Sequence, residues 1–398
     1  VSLDRDEWIA EARTVPIETA LERRGVRLKG AGAERVGPCP VCGGTDRFAI
    51  NTRKGLFLCR GSGTGGDVIA LTRYLEACDF VVACEILTGR PQPGREAGET
   101  PEARAAREAA LAKRAAARAR MDAGKEAARA RFRERERRRC WDAWQAAGPV
   151  AGSPAESYLA RRGLIVPPGA DLRCALDHPL YADGSGKAAI VHRGPALLAR
   201  IIGPNRKFAG VHATWIDLDV PGGKVLIGDP DTGELVPAKK VRGSAGGGHI
   251  TLVPRADATG LFIGEGIETV LSVWRALSAT SSPHLAGAAF WSAYSLGNIA
   301  GPATETVRHP TLRFTDTLGR ERARRVPGSV PDLSRPGLQI PESVARIWLL
   351  GDGDSDRFTT ETALARARRR LVAGRPDLDV RICWAPEGEC VTPTTIAA

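Results

Sequence analysis

Apolar residues recur along this chain in short runs divided by polar turns, and two of the runs end alike. Leu261, Phe262 and Ile263 lead into Gly264 and Glu265, while Ile347 to Leu350 leads into Gly351 and Asp352. Each run suits one buried strand and is too short for a buried helix. A helix-like stretch follows both: T-V-L-S-V-W from Thr269, and E-T-A-L-A-R-A-R-R-R-L-V-A-G closing at Gly374. Strand, acid and helix in that order, twice, predict an α/β sheet with carboxylates at the carboxyl ends of parallel strands. Open sheets of this kind take their ligands there.

Elsewhere the periodicity changes. Residues 196–215, A-L-L-A-R-I-I-G-P-N-R-K-F-A-G-V-H-A-T-W, alternate and turn as antiparallel strands do. Ser153 or a neighbour caps a short helix carrying Tyr158, Leu159, Arg161 and Arg162. From Pro101 to Arg139 the chain is almost wholly Ala, Arg, Glu and Lys, with Gly124 as interruption. Such residues are strong helix formers, and the lack of large apolar side chains predicts a solvated spacer roughly 55–60 Å long. Its alternating acids dilute the sharper reading as a DNA-binding arm. The preceding G-R-P-Q-P-G is a hinge. Residues 300–345, rich in Arg and Pro, read as an insertion or long loop between strands.

Charge narrows the class of partner. A formal net charge of +11 over 398 residues favours a polyanion. The charged first residues lack the apolar run of a secretory signal, and no stretch has the eighteen or more apolar residues of a membrane span. Nine cysteines, an odd number scattered over a long chain, do not make a disulfide framework. The expectation is a cytoplasmic protein with no membrane association.

Two sets of residues carry candidate chemistry. Glu265, Glu268, Asp352, Asp354 and Asp356 would supply hard oxygen ligands to Mg²⁺ or Mn²⁺. Asp356 reads equally as a helix N-cap, and Glu268 as an acid favouring a helix start. Cys39 and Cys42 form a C-x2-C knuckle, and Cys59 ends a later apolar strand. Structural zinc wants four ligands, but Ser62 stands where a fourth cysteine belongs. Three readings stay open: Zn²⁺ on three thiolates with water, Ser62 or a distant group; a degenerate, metal-free fold; or cysteines unrelated to metal. Cys78 and Cys84, at helical spacing, read as core residues.

The knuckle's flanks, with Pro38 before it and Gly65-Gly66-Asp67 after Cys59, resemble the zinc ribbon at the N-terminus of bacterial and phage primases. The two strand–acid–helix segments resemble the Toprim domain of primases, topoisomerases and some nucleases. Y-L-A-R-R-G-L at 158–164 is similar to the opening of the catalytic core in phage- and plasmid-type Toprim primases. The resemblance implies an α/β multidomain chain. A primase-type zinc-ribbon domain (1–90) and a basic helical linker (91–140) would precede an α+β catalytic-core subdomain (141–255) and a C-terminal Toprim α/β sheet (256–398).

It further implies a DNA primase of phage, plasmid or mobile-element type, joining NTPs on single-stranded DNA. Glu265 would be an acid/base or metal-linked carboxylate, and Asp352 and Asp354 the principal metal ligands. Arg206, Lys207, His212, Lys239, Lys240 and Arg242 are candidates for holding phosphates. Each reads as readily as solvated charge beside a hairpin, and His212 as an ordinary strand residue. In the ribbon, Arg47, Arg53, Lys54 and Arg60 suit template phosphates, whereas Phe48 and Phe57 suit the core better than base stacking. No Walker loop follows the second acidic segment, so a replicative helicase would act in trans. The alternatives are a Toprim nuclease and a non-catalytic single-stranded-DNA-binding protein.

Overall fold

The computed structural model describes residues 2–30, 32–93, 101–181, 190–228, 235–315, 319–353 and 355–384. Two compact units divide the chain, Val1–Gly124 and Lys125–Ala398. Among the described residues, no helix is long and apolar enough to cross a membrane.

The first unit opens with helices α1 (Ser2–Thr14) and α2 (Ile17–Glu22). An antiparallel sheet follows, in the order β1 (Glu34–Cys39), β2 (Gly43–Asn51), β3 (Leu56–Cys59), β4 (Thr64–Gly66). Helices α3 (Val68–Glu76) and α4 (Phe80–Thr88) close it. Each begins at an aspartate, Asp67 or Asp79, whose side chain accepts a backbone N–H of the first turn. These caps satisfy donors that have no partner within the helix. The core gathers Trp8, Leu21, Phe48, Phe57, Leu71 and Cys84. Phe48 and Phe57 are buried, with ring centroids 5.8 Å apart, so they pack the ribbon and do not stack on bases.

Helix α5 (Pro101–Ala146) covers the whole Ala/Arg-rich run and continues past it. Its last turns are apolar, and Cys140 and Trp144 are buried in the second unit's core.

The second unit contains two main sheets. After α6 (Pro154–Ala160) come β5 (Leu172–Tyr181), β6 (Ile190–Ile202), β7 (Phe208–Trp215) and the short pair β8 (Ile227–Gly228) and β9 (Leu235–Val236). With β10 (Lys239–Gly243), strands β5, β6 and β7 give an antiparallel sheet ordered β10-β7-β6-β5, and β8 and β9 pair separately. The second sheet draws on β11 (Ile250–Val253), β12 (Gly260–Gly264), β13 (Ala288–Ser292), β16 (Arg346–Gly351) and β17 (Asp379–Trp384), ordered β11-β13-β12-β16-β17. Its last four strands are parallel, and β11 is an antiparallel edge. Helix α7 (Ile267–Ala279) follows β12, α8 (Leu296–Ala300) follows β13, and α9 (Arg357–Gly374) follows β16. Between α8 and β16 a hairpin is built from β14 (Thr306–Thr315) and β15 (Glu321–Pro327).

One apolar cluster unites the sheets: Tyr158, Leu197 and Ile201 pack with Leu252, Phe262 and Phe290. Phe262 stacks on Phe290 at 4.6 Å and on Trp348 at 4.3 Å, across three adjacent parallel strands. Side chains that fill both faces of β12 explain its uninterrupted apolar run. The register sets Gly264 against Leu350, so Glu265 and Asp352 emerge at the same edge from neighbouring strands.

Candidate functional site

In the first unit, β2 pairs with both β1 and β3, and this brings two strand ends together. Phe48 is opposite Gly37 on one side and Cys59 on the other. Cys39 ends β1, Cys42 sits in the turn to β2, and Cys59 ends β3. The three sulfurs lie within 4.8 Å of one another, with Cys42 and Cys59 Sγ 3.5 Å apart. Sulfurs bound tetrahedrally to zinc at ~2.3 Å stand ~3.8 Å apart, so the triad fits the ion.

The fourth corner carries hydroxyls. Ser62 Oγ lies 3.0 Å from Tyr74 Oη, to which it donates, and Tyr74 Oη is 3.2 Å from Cys39 Sγ. Burial raises the Cys59 thiol, but hydrogen bonds from Ser62, Tyr74 and Cys42 outweigh it and hold its pKa at about 6. Burial also pushes Tyr74 up, so it stays a neutral donor. Three thiolates with oxygen donors at the remaining corner would hold Zn²⁺ in a structural role.

The second unit places Glu265 and Asp352 just beyond β12 and β16. Asp352 Oδ1 accepts the Thr269 hydroxyl at 2.7 Å, and the Glu265 carbonyl accepts Ser292 Oγ at 2.8 Å. Asp354 lies outside the described residues. Asp356 caps α9: its Oδ1 accepts the Thr359 N–H and the His309 Nε2–H, each at 2.8 Å. These bonds, Thr359 first, hold Asp356 down at about 2.

Glu268 lies in the first turn of α7 and faces cations. Lys239 Nζ is 3.1 Å and Lys224 Nζ 3.3 Å from Oε1, and Tyr158 Oη donates to the same oxygen at 2.7 Å. Burial opposes the charge, yet Lys239, Lys224 and Tyr158 together keep this carboxyl far below the ordinary range. The side chain therefore spans the two sheets of the unit and neutralises one of two lysines.

The basic candidates scatter by environment. Arg206, with φ of 60°, and Lys207 sit exposed in the β6–β7 hairpin turn. Lys239 is drawn to Glu268, Lys240 Nζ donates to the Tyr181 carbonyl at 2.6 Å, and Arg242 meets Glu136 at 2.5 Å. His212 is buried on β7; burial and then Lys239 lower its pKa to about 4. Asn298 braces the turn at Gly246-Gly247-Gly248, which precedes β11, accepting from Gly247 N at 2.8 Å and donating to the Gly248 carbonyl at 2.7 Å.

Sequence reasoning missed Lys224, read Thr269 only as a helix residue, and read Tyr158 as a helix residue opening the Y-L-A-R-R-G-L motif, not as a partner of Glu268. Lys224 follows an ordinary P-G-G turn, and nothing local marks it; only the approach of α7 to the antiparallel sheet does.

Comparison with known proteins separates the units. Residues 8–94 match the CHC2 zinc finger, a zinc ribbon of DnaG type. The CHC2 region thus includes all three clustered cysteines, Ser62 and Tyr74. Residues 134–252 match a family described as a domain of unknown function (DUF7146). The Aquifex aeolicus primase, zinc binding and RNA polymerase domains, is 14% identical over 96% of this chain and 80% of that one, with a TM-score of 0.32. A DNA primase domain from Pseudomonas aeruginosa is 15% identical over 63% of this chain and 71% of that one, with a TM-score of 0.34. No curated protein matches the chain.

Proposed function

We propose that this chain is a DNA primase, which joins ribonucleotides into short primers on single-stranded DNA. The observation that carries the reading is the DnaG-type CHC2 match over residues 8–94, on a thiol cluster suited to zinc. The carboxylates Glu265 and Asp352, at one edge of a parallel sheet, supply a place for the chemistry. The Toprim assignment, the phage, plasmid or mobile-element type, and a helicase acting in trans belong to the same proposal.

Nucleotidyl transfer forms a bond from a 3′-hydroxyl oxygen to the α-phosphorus of an NTP and breaks the bond to the β-phosphate, releasing pyrophosphate. The protein's contribution is in-line positioning and control of charge. Glu265 and Asp352, with Asp354, would hold Mg²⁺ or Mn²⁺, and the ion would supply charge neutralisation at the phosphates. Thr269 fixes the Asp352 rotamer by donating to Oδ1. Lys224 and Lys239 share one carboxylate, so the pair keeps one uncompensated positive charge, which this reading assigns to an anionic triphosphate. Glu268 orients those ammonium groups and is itself no metal ligand in this assignment.

The test is incorporation of labelled NTPs on single-stranded DNA with Mg²⁺ or Mn²⁺, comparing the native chain with an Asp352→Ala/Asp354→Ala variant. Short products that vanish in the variant are expected. Cleavage of DNA without NTPs would transfer the acidic edge to a nuclease reading. No chemistry at all, with unchanged DNA binding, would leave a binding protein.

A further inference from the structure

The β14–β15 hairpin is not used by the proposed chemistry, yet it is strongly basic. Residues 306–327 contain six arginines: Arg308, Arg313, Arg320, Arg322, Arg324 and Arg325. Strand alternation sorts its side chains by face. Phe314 pairs with Arg322, which places Leu312, Phe314, Arg322 and Arg324 on one face. Thr315 pairs with Glu321 on the other face. All four of its side chains are exposed, including Phe314 at 50% and Leu312 at 38%. An exposed ring beside guanidinium groups matches the two needs of an unpaired strand: stacking for bases and cations for phosphates.

The base of the arm is fixed. His309 is buried, donates Nε2–H to Asp356 at 2.8 Å and accepts the Leu312 N–H on Nδ1 at 2.9 Å. That second bond holds the register shift between Arg308 and Arg313. Arg366, buried on α9, donates to the Pro327 carbonyl at 3.1 Å and to the Gly301 carbonyl at 3.0 Å. The hairpin therefore stands on α9, whose cap Asp356 is four residues beyond Asp352.

We propose that the Leu312–Phe314–Arg322–Arg324 face of this hairpin is a docking surface for single-stranded DNA beside the acidic edge. The choice of DNA as the polyanion rests on the proposed function; the face itself rests on charge complementarity and the exposed ring.

The experiment is fluorescence anisotropy of the full chain with a labelled oligo-dT strand and, separately, with duplex DNA of equal length, without NTPs. Phe314→Ala should weaken single-strand binding about tenfold and leave duplex binding nearly unchanged. An Arg322→Ala/Arg324→Ala variant should weaken it and lower the salt slope by about 1–2. Arg→Lys at both positions should restore that slope. Primer synthesis by the native chain is read separately: no primers with hairpin-dependent binding retained sinks only the primase reading. Single-strand affinities of both hairpin variants within about twofold of native would overturn the docking surface. So would an equal loss on duplex DNA.

Discussion

The Thr269 hydroxyl donates to Asp352 Oδ1 at 2.7 Å, tying the first turn of α7 to the end of β16. This bond joins two strand–acid–helix units through a side chain, where the register joins them only through backbone. Thr269→Val keeps the shape and removes the donor. It should cost about 1 kcal/mol of stability in denaturant unfolding and reduce primer synthesis about 10- to 100-fold. A variant with native activity would show that Asp352 needs no such orientation.

Glu268 should behave as an electrostatic strut. Glu268→Gln retains an acceptor for Tyr158 but leaves Lys224 and Lys239 uncompensated. The loss should be about 2–3 kcal/mol, below the fully buried range because both lysines are about a third exposed. The folded carboxyl lies below its unfolded value, so its contribution is complete above the ordinary glutamate range of ~4.3 and is lost as pH falls. Urea titrations at neutral and acid pH should find the gap between variant and native wide at pH 7 and narrowing in acid.

Asp356 should stabilise α9 by capping it. Asp356→Ala removes the acceptor for Thr359 N–H and His309, with an expected loss of about 1 kcal/mol. With a folded pKa of about 2 against an ordinary ~3.9, the stabilisation is present above about pH 4 and fades toward pH 2. Thermal unfolding across that window checks it, and a pH-independent difference would contradict the cap assignment.

The thiol site should bind Zn²⁺ through Cys39, Cys42 and Cys59. Cys59→Ser should abolish stoichiometric zinc. Ser62→Cys completes a four-thiolate sphere and should tighten binding about tenfold or more, about 1.4 kcal/mol. Competition with a chromogenic chelator reads both. Equal affinity in native and Ser62→Cys proteins would mean that position 62 does not face the metal.

Much of the local architecture was legible along the chain. The runs 261–263 and 347–350 became β12 and β16, Ser153 caps α6, and Asp356 caps α9. Strand periods and caps act over a few residues, so they leave a mark in sequence. The edge strand β11, at residues 250–253, pairs with β13, which lies 35 or more residues further along the chain. An edge strand's partner is chosen by the open side of a sheet, and residues 250–253 carry no trace of that.

By itself, the sequence determined the positive charge, the C-x2-C knuckle with Cys59, and carboxylates following two apolar strands. Tertiary structure alone decided what those groups face. It set Glu268 against Lys224, Lys239 and Tyr158, the last of these 110 residues away. It buried His212, put Ser62 on Tyr74, and turned Phe314 and Arg322 to one exposed face. The physical reason is one of range. Propensity and capping are settled by neighbours along the chain, whereas charge state and recognition depend on burial and on partners reached through space.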